Sequence, residues 1–155
     1  MDLNLGKRAD YSIRAVLDLA RHYGVGRRTA AQIAQSMQIP TTYLPALLAE
    51  LVRAGLVDST PGRGGGYELA RSPERISLLE VIEKTDGPIM AQECVLRGGP
   101  CHWADACALH RPWAEAQEAF RDHLAGIALR RLVDEDEQTI RHAPAAPASR
   151  TATGP

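Results

Sequence analysis

Three cysteines and a histidine stand close together in the second half of the chain, at Cys94, Cys101, Cys107 and His110, with the spacing C-x6-C-x5-C-x2-H. They include every cysteine of the 155-residue chain. Thiolates are soft donors, and three of them meet at one point only where the backbone turns sharply between them. Gly98, Gly99 and Pro100 supply such a turn. The residue types admit an iron–sulfur cluster, a structural zinc held by three cysteines and a histidine, or three unrelated thiols. A disulfide framework does not suit an odd number of cysteines.

Composition bounds what surrounds this loop. Hydrophobic residues make up 45% of the chain, enough for a folded core. No apolar run approaches the roughly 20 residues of a membrane helix, and the N-terminus lacks the pattern of a signal peptide. The expected location is therefore the cytoplasm, where grouped cysteines serve metal or redox chemistry more often than disulfides. Charge is uneven: residues 1–75 hold ten Lys/Arg against seven Asp/Glu, and residues 76–155 hold eight against twelve. A mildly basic N-terminal half suits a nucleic-acid partner, although most surface charge is simply solvated. An enzyme is not expected, because no nucleophile–base pair or paired carboxylates stand out. Gly64-Gly65-Gly66 also lacks the lysine and spacing of a phosphate-binding loop.

Taken in order, residues 8–23 place Ala9, Ile13, Val16, Leu17 and Ala20 at the spacing of one helical face, and Gly24 follows as a stop. Thr29 is placed to cap a short helix from Ala30 to Met37, and Thr41 or Thr42 to cap a third helix carrying Leu44, Leu47, Leu48, Leu51 and Val52. Pro45 then falls in or just after the first turn, where its missing N–H costs little. Leu56 to Thr60 and Tyr67 to Ala70 alternate like strands on either side of Pro61-Gly62-Arg63-Gly64-Gly65-Gly66. Two short helices and a hairpin in that order read as a helix-turn-helix with a wing. The fold class is accordingly mainly α with one small β-hairpin.

Ser77 is the expected cap of a helix from Leu78 to Thr85, ended by Asp86-Gly87-Pro88. Beyond the cysteines, a helix opening at Pro112 carries Trp113, Ala116, Phe120, Leu124 and Ile127 as one apolar stripe. One chain has little left to cover it, so a homodimer is expected. The division is then residues 1–75 for DNA binding, 76–133 for the cysteine loop and a dimerisation helix, and 134–155 for an acidic, then disordered, tail.

With these pieces in place, the chain from about Leu3 to Val133 resembles the winged-helix iron–sulfur transcription regulators typified by IscR and NsrR. The resemblance rests on Lys7-Arg-Ala-Asp-Tyr-Ser-Ile-Arg14, on Ala54-Gly-Leu-Val57 followed by Gly62-Arg-Gly-Gly-Gly-Tyr-Glu-Leu69, on Ile76-Ser-Leu-Leu-Glu-Val-Ile82, and on the three cysteines. It implies a dimeric regulator, usually a repressor, whose DNA affinity depends on a cluster sensing nitric oxide, redox state or iron–sulfur status. It places the cluster ligands at Cys94, Cys101 and Cys107. Two fourth ligands are offered: His110, matching one branch and a 2Fe-2S cluster, and Asp10, matching the other and a 4Fe-4S cluster. His110, and with it 2Fe-2S, is preferred, because Asp10 serves equally well as a surface residue of the first helix. Pro45 replaces a glutamate of the IscR branch that helps to set operator preference, and the first gap between cysteines is one residue longer.

On this reading Thr41, Thr42 and Tyr43 face the major groove of double-stranded DNA, and Arg63, with Gly64, Gly65 and Gly66 beside it, follows the minor groove. Arg27 and Arg28 meet phosphates. The dimer reads a pseudo-palindrome with half-sites about one helical turn apart.

Overall fold

The computed structural model describes residues 5–89, 94, 96, 102, 103 and 105–142. The element order is α1 (Lys7–Arg21), α2 (Ala30–Met37), α3 (Leu44–Arg53), β1 (Val57–Thr60), β2 (Gly66–Leu69), a short 3-10 turn (Pro73–Arg75), α4 (Leu78–Asp86), α5 (His110–Ala125) and α6 (Leu129–His142). The expected class holds: helices with one antiparallel hairpin, whose register runs from Val57 opposite Leu69 to Thr60 opposite Gly66.

Helix α1 is the hub, in contact with α2, α3, α4, α6 and β2. That explains a difference from the single apolar stripe expected of it. A helix surrounded on several sides buries more than one face, so Ala15 and Leu19 are buried beside Ala9, Val16 and Ala20, while Ile13 and Leu17 are only half-buried at the core's edge. Two polar residues, Ser12 and Asp18, are buried as well. The core is one cluster in which Leu47, Leu48 and Leu51 of α3 meet Ile33 of α2 and Val16 of α1. It does not stop at residue 75, since Ile76, Val81, Leu129 and Val133 also belong to it.

Local chemistry sets most helix starts. Thr29 Oγ1 accepts from the Gln32 N–H at 3.2 Å while Gln32 Oε1 accepts from the Thr29 N–H at 2.9 Å, so two donors at the head of α2 are satisfied reciprocally. Thr29→Ala is expected to cost about 1 kcal/mol in urea unfolding with an unchanged slope, because only the cap is lost. Ser77 caps α4 with a single bond, its Oγ accepting from the Glu80 N–H at 3.1 Å. Helix α3 differs from expectation. Pro40 to Tyr43 form a turn in which the Tyr43 and Leu44 N–H groups both bond the Pro40 carbonyl, so the helix begins at Leu44 without a side-chain cap. Thr41 and Thr42 lie in that turn, exposed, and Pro45 sits in the first turn of the helix as anticipated.

The far end of the chain also differs. Helix α5 opens at His110, two residues before Pro112, which still lies in the first turn where N–H groups lack partners within the helix. The acidic residues 134–137, read as the head of a tail, belong to α6. Leu129 and Val133, four residues apart, bury that helix in the core, and Asp136 pairs with Arg21 of α1. On its outer side Arg130 bonds Asp134 and Arg131 bonds Glu135, each at 2.7 Å and one turn apart. The chain between α4 and α6 leaves and returns at one place: the Leu78 N–H donates to the Ile127 carbonyl at 2.8 Å, and the Leu129 N–H to the Ile76 carbonyl at 2.9 Å. No helix among the described residues is long and apolar enough to cross a membrane.

Candidate nucleic-acid interface and metal centre

The turn ahead of α3 and the hairpin tip both present exposed polar groups. Thr41 and Thr42 are exposed, and Tyr43 is two-fifths exposed because its ring is partly engaged. It meets the Tyr11 ring of α1 edge-on, centroids 5.4 Å apart and planes at 66°. Arg14 lies 5.9 Å from the centre of that Tyr11 ring and bonds Asp10 at 2.8 Å. The start of α3 is thereby tied to the first two turns of α1.

The wing turns where the sequence placed it, with the Gly65 N–H donating to the Gly62 carbonyl at 3.0 Å and Arg63 exposed at the tip. Two of its glycines have no substitute. A Cβ on Gly65 would lie 2.1 Å from the Thr60 carbonyl oxygen, and one on Gly66, whose φ is 138°, would lie 2.6 Å from the Arg28 carbonyl oxygen. Backbone atoms cannot swing away as a side chain can, so the close approach requires glycine.

The two arginines before α2 behave differently from each other. Arg27 bonds Glu68 of β2 at 2.7 Å and remains two-fifths exposed. Arg28, expected to meet a phosphate, turns inward. Its Nε donates to Asp18 Oδ2 at 3.0 Å and its Nη2 to Oδ1 at 3.3 Å, and the carboxylate it meets is 1% exposed. A buried carboxylate is costly without a positive partner, and that requirement outcompetes a solvated role for Arg28. Ser36 Oγ donates to the same Oδ1 at 2.7 Å, and His22 Nδ1 to the Asp18 carbonyl at 2.7 Å. Sequence reasoning missed Asp18, although an aspartate flanked by Val16, Leu17, Leu19 and Ala20 is itself a sign of a buried, partnered charge.

Of the four residues proposed for a metal, Cys101 lies outside the described residues. Cys94 and Cys107 are half-buried, and among the described residues no disulfide is formed. The Cys107 N–H donates to the Trp103 carbonyl at 2.8 Å, and its own carbonyl accepts from the His110 N–H at 3.1 Å. Cys107 and His110 therefore share the tight turn that opens α5. Among the described residues no three Cys, His, Asp or Glu side chains converge as a metal site. The donor set nevertheless suits iron–sulfur or zinc chemistry: soft thiols, two of them sheltered from water, with an imidazole three residues beyond one of them. Asp10, the other candidate ligand, holds its carboxylate against Arg14 in the first turn of α1.

Behind α5 lies an open, mainly apolar cavity of about 400 Å³ whose lining includes Leu5, Leu78, Ile82, Phe120 and Leu124 but also Asp86. Among the described residues none of α5 is buried, and Phe120 is 43% exposed.

A helix-turn-helix followed at once by a hairpin with a glycine-lined tip defines a winged-helix regulator, and comparison with known proteins narrows the class. Residues 5–135 match Rrf2, the iron-dependent transcriptional regulators. The regulator IscR of Xenorhabdus nematophila is 35% identical over 135 residues, covering 87% of this chain and 82% of that protein. Among solved structures, CymR, the global cysteine regulator of B. subtilis, superposes with a TM-score of 0.73 at 28% identity, covering 86% of this chain and 98% of that one. IscR of T. potens gives 0.71 at 26% identity, covering 94% and 96%. The chain belongs to the Rrf2 family of transcriptional regulators.

Proposed function

We propose that this regulator binds operator DNA as a homodimer and that a cluster on Cys94, Cys101, Cys107 and a fourth ligand controls the binding. The observation that carries the reading is the joining of two features in one chain: an exposed winged-helix surface, and a half-buried thiol, Cys107, set directly at the head of a helix with no buried residue. Residues 1–75 contribute the reading surface. Thr41 and Thr42 offer hydroxyls to base edges or phosphates at the start of α3, the exposed part of Tyr43 lies beside them, and Arg63 enters the minor groove from the wing. Arg27 exchanges Glu68 for a phosphate. Arg28 is left out of the contact set because it is occupied by Asp18.

Residues 76–133 carry the sensor and the pairing surface. The uncovered face of α5 and the apolar cavity behind it are what a second copy covers. His110 is the preferred fourth ligand, since it shares a turn with Cys107 whereas Asp10 is held by Arg14. With that choice the resemblance to the IscR branch favours a 2Fe-2S cluster over 4Fe-4S. When bound, such a cluster supplies iron that reacts with nitric oxide or oxidants and can be lost, most readily at a non-thiolate ligand. The chain's part is mechanical. Cys107 and His110 hold the first turn of α5 while they are ligands, and their release lets that turn relax at the base of the pairing helix, altering the separation of the two α3 helices. Operator binding is thereby coupled to the ligand state.

The test uses the duplex enriched by anaerobically purified protein from a random-sequence pool. Holo and apo protein are compared on that duplex over a salt series. The expected result is linear log–log salt dependence for both forms, with affinities at least about tenfold apart. Equal affinities would leave a constitutive DNA binder, and colourless protein with one zinc per chain would replace the sensor by a structural metal.

A further inference from the structure

Besides the packing of Leu69 in the core, the wing is joined to the helical body by backbone hydrogen bonds at Arg28, and that residue is itself set by a carboxylate on α1. Along the backbone, the Arg28 N–H donates to the Tyr67 carbonyl at 2.9 Å and the Tyr67 N–H to the Arg28 carbonyl at 2.8 Å, so Arg28 pairs with β2 as a third strand position. The glycine at 66 allows this approach, since any Cβ there would strike the Arg28 carbonyl. Through its side chain, Arg28 grips both oxygens of Asp18. The same carboxylate takes the Ser36 hydroxyl of α2, and the next residue after Arg28 is Thr29, the cap of α2. One buried anion therefore fixes α1, α2 and the strand position that carries the wing. Arg27 adds a second clasp on the outside by bonding Glu68 of β2.

We infer that the Arg28–Asp18 pair is a positioning device for DNA reading: it sets where the wing, and with it Arg63, stands relative to α3. The inference rests on the DNA-binding reading above, and it assigns Arg28 a role opposite to the phosphate contact its sequence position suggested. Three geometric facts support it. Among the described residues, Arg28 alone bridges by its backbone to β2 from outside the hairpin. Its side chain is 17% exposed and engaged by the buried Asp18 carboxylate, whereas Arg63 and Thr41 are exposed. A guanidinium fork spans two carboxylate oxygens at once, which fixes direction as well as distance, and lysine cannot reproduce that.

The test is a double-mutant cycle in the full-length chain between Arg28, remote from DNA, and Arg63, at the wing tip. The probe is the duplex enriched from a random pool by wild-type protein. Arg28→Lys is expected to weaken that duplex roughly tenfold, as if a groove contact had been displaced, at a temperature where circular dichroism shows the variant folded. In an Arg63→Ala background the same substitution should change affinity by less than about twofold, because there is no longer a wing contact to misplace. A role in stability alone would move the melting temperature and leave the affinity of folded protein unchanged.

Folded Arg28→Lys protein that binds like wild type overturns the inference. So does a tenfold loss that persists with Arg63→Ala, since the effect would then bypass the wing. If Arg28→Lys does not fold, Ser36→Ala removes a single hydrogen bond from the same carboxylate and serves in the same cycle with a smaller expected loss. Wild-type protein that enriches no duplex is a separate result: it overturns the DNA-binding reading itself, and this inference with it.

Discussion

Protein purified without oxygen and carrying Cys107→Ala is expected to come off the column colourless, where wild type bearing the proposed cluster is expected to be brown and to absorb in the visible. The expectation is a complete loss, because a thiolate ligand has no substitute in alanine and a cluster held by one donor fewer is exposed to solvent attack. The fold should survive the change. Cys107 is fixed through its backbone, by bonds to Trp103 and His110, and alanine keeps both. Far-UV circular dichroism is thus expected to be unchanged while the visible absorption disappears. The same measurement separates the two fourth ligands. His110→Ala should lose or sharply destabilise the chromophore. Asp10→Ala should keep it, with only the loss of a half-exposed ion pair to Arg14, about 0.5 kcal/mol. The reverse pattern would move the fourth ligand to Asp10.

Gly66→Ala has the second large effect. The new methyl would stand 2.6 Å from a backbone oxygen, at a φ of 138° that side chains rarely tolerate. Relief requires the strand to leave Arg28, which gives up two backbone hydrogen bonds. Backbone strain of about 1–3 kcal/mol and hydrogen bonds of about 1 kcal/mol each together predict a loss of roughly 3 kcal/mol. For a chain of this size the midpoint of thermal unfolding falls by roughly 10 °C. Gly64→Ala is the control, since Gly64 also has a positive φ, 76°, but nothing lies within 4 Å of its Cβ position. Its cost should stay near 1 kcal/mol. Calorimetry of the two variants side by side checks the difference, and equal midpoints would mean that the approach to Arg28 does not limit stability.

These expectations draw on parts of the molecule that were unequally visible in the sequence. Thr29 and Ser77 were legible as caps because capping is local: a hydroxyl and the amides it bonds lie within one turn. The same logic misled at Thr41 and Thr42, where Pro40 supplies a carbonyl that closes the turn first. The wing was legible from its alternation and glycines, but the partner that makes Gly66 obligatory is Arg28, which is remote in sequence. Arg28 itself was read as a surface cation because the sign of its role lies not around the arginine but ten residues earlier, in the apolar neighbours of Asp18. Helix α6 was hidden by composition, its acidic outer residues outnumbering the two apolar ones, Leu129 and Val133, that bury it. The thiols were plain as a set of donors, but whether donors meet at one point is a property of tertiary structure that spacing does not determine.

The bonds from the Leu78 N–H to Ile127 and from the Leu129 N–H to Ile76 make the stretch between them an excursion whose two ends meet; α4 opens it and is packed into the core through Val81, so the part free to vary lies beyond Asp86. Closing a loop costs free energy that grows only slowly with its length, so the body of the protein is nearly indifferent to how long the excursion is. What it requires is that the ends come back to the same pair of carbonyls. The segment is in that sense a cartridge in a fixed socket. A stretch with different ligands, or with none, can occupy the socket without redesign of the wing or the helices beside it, and one scaffold can thereby answer to unrelated signals.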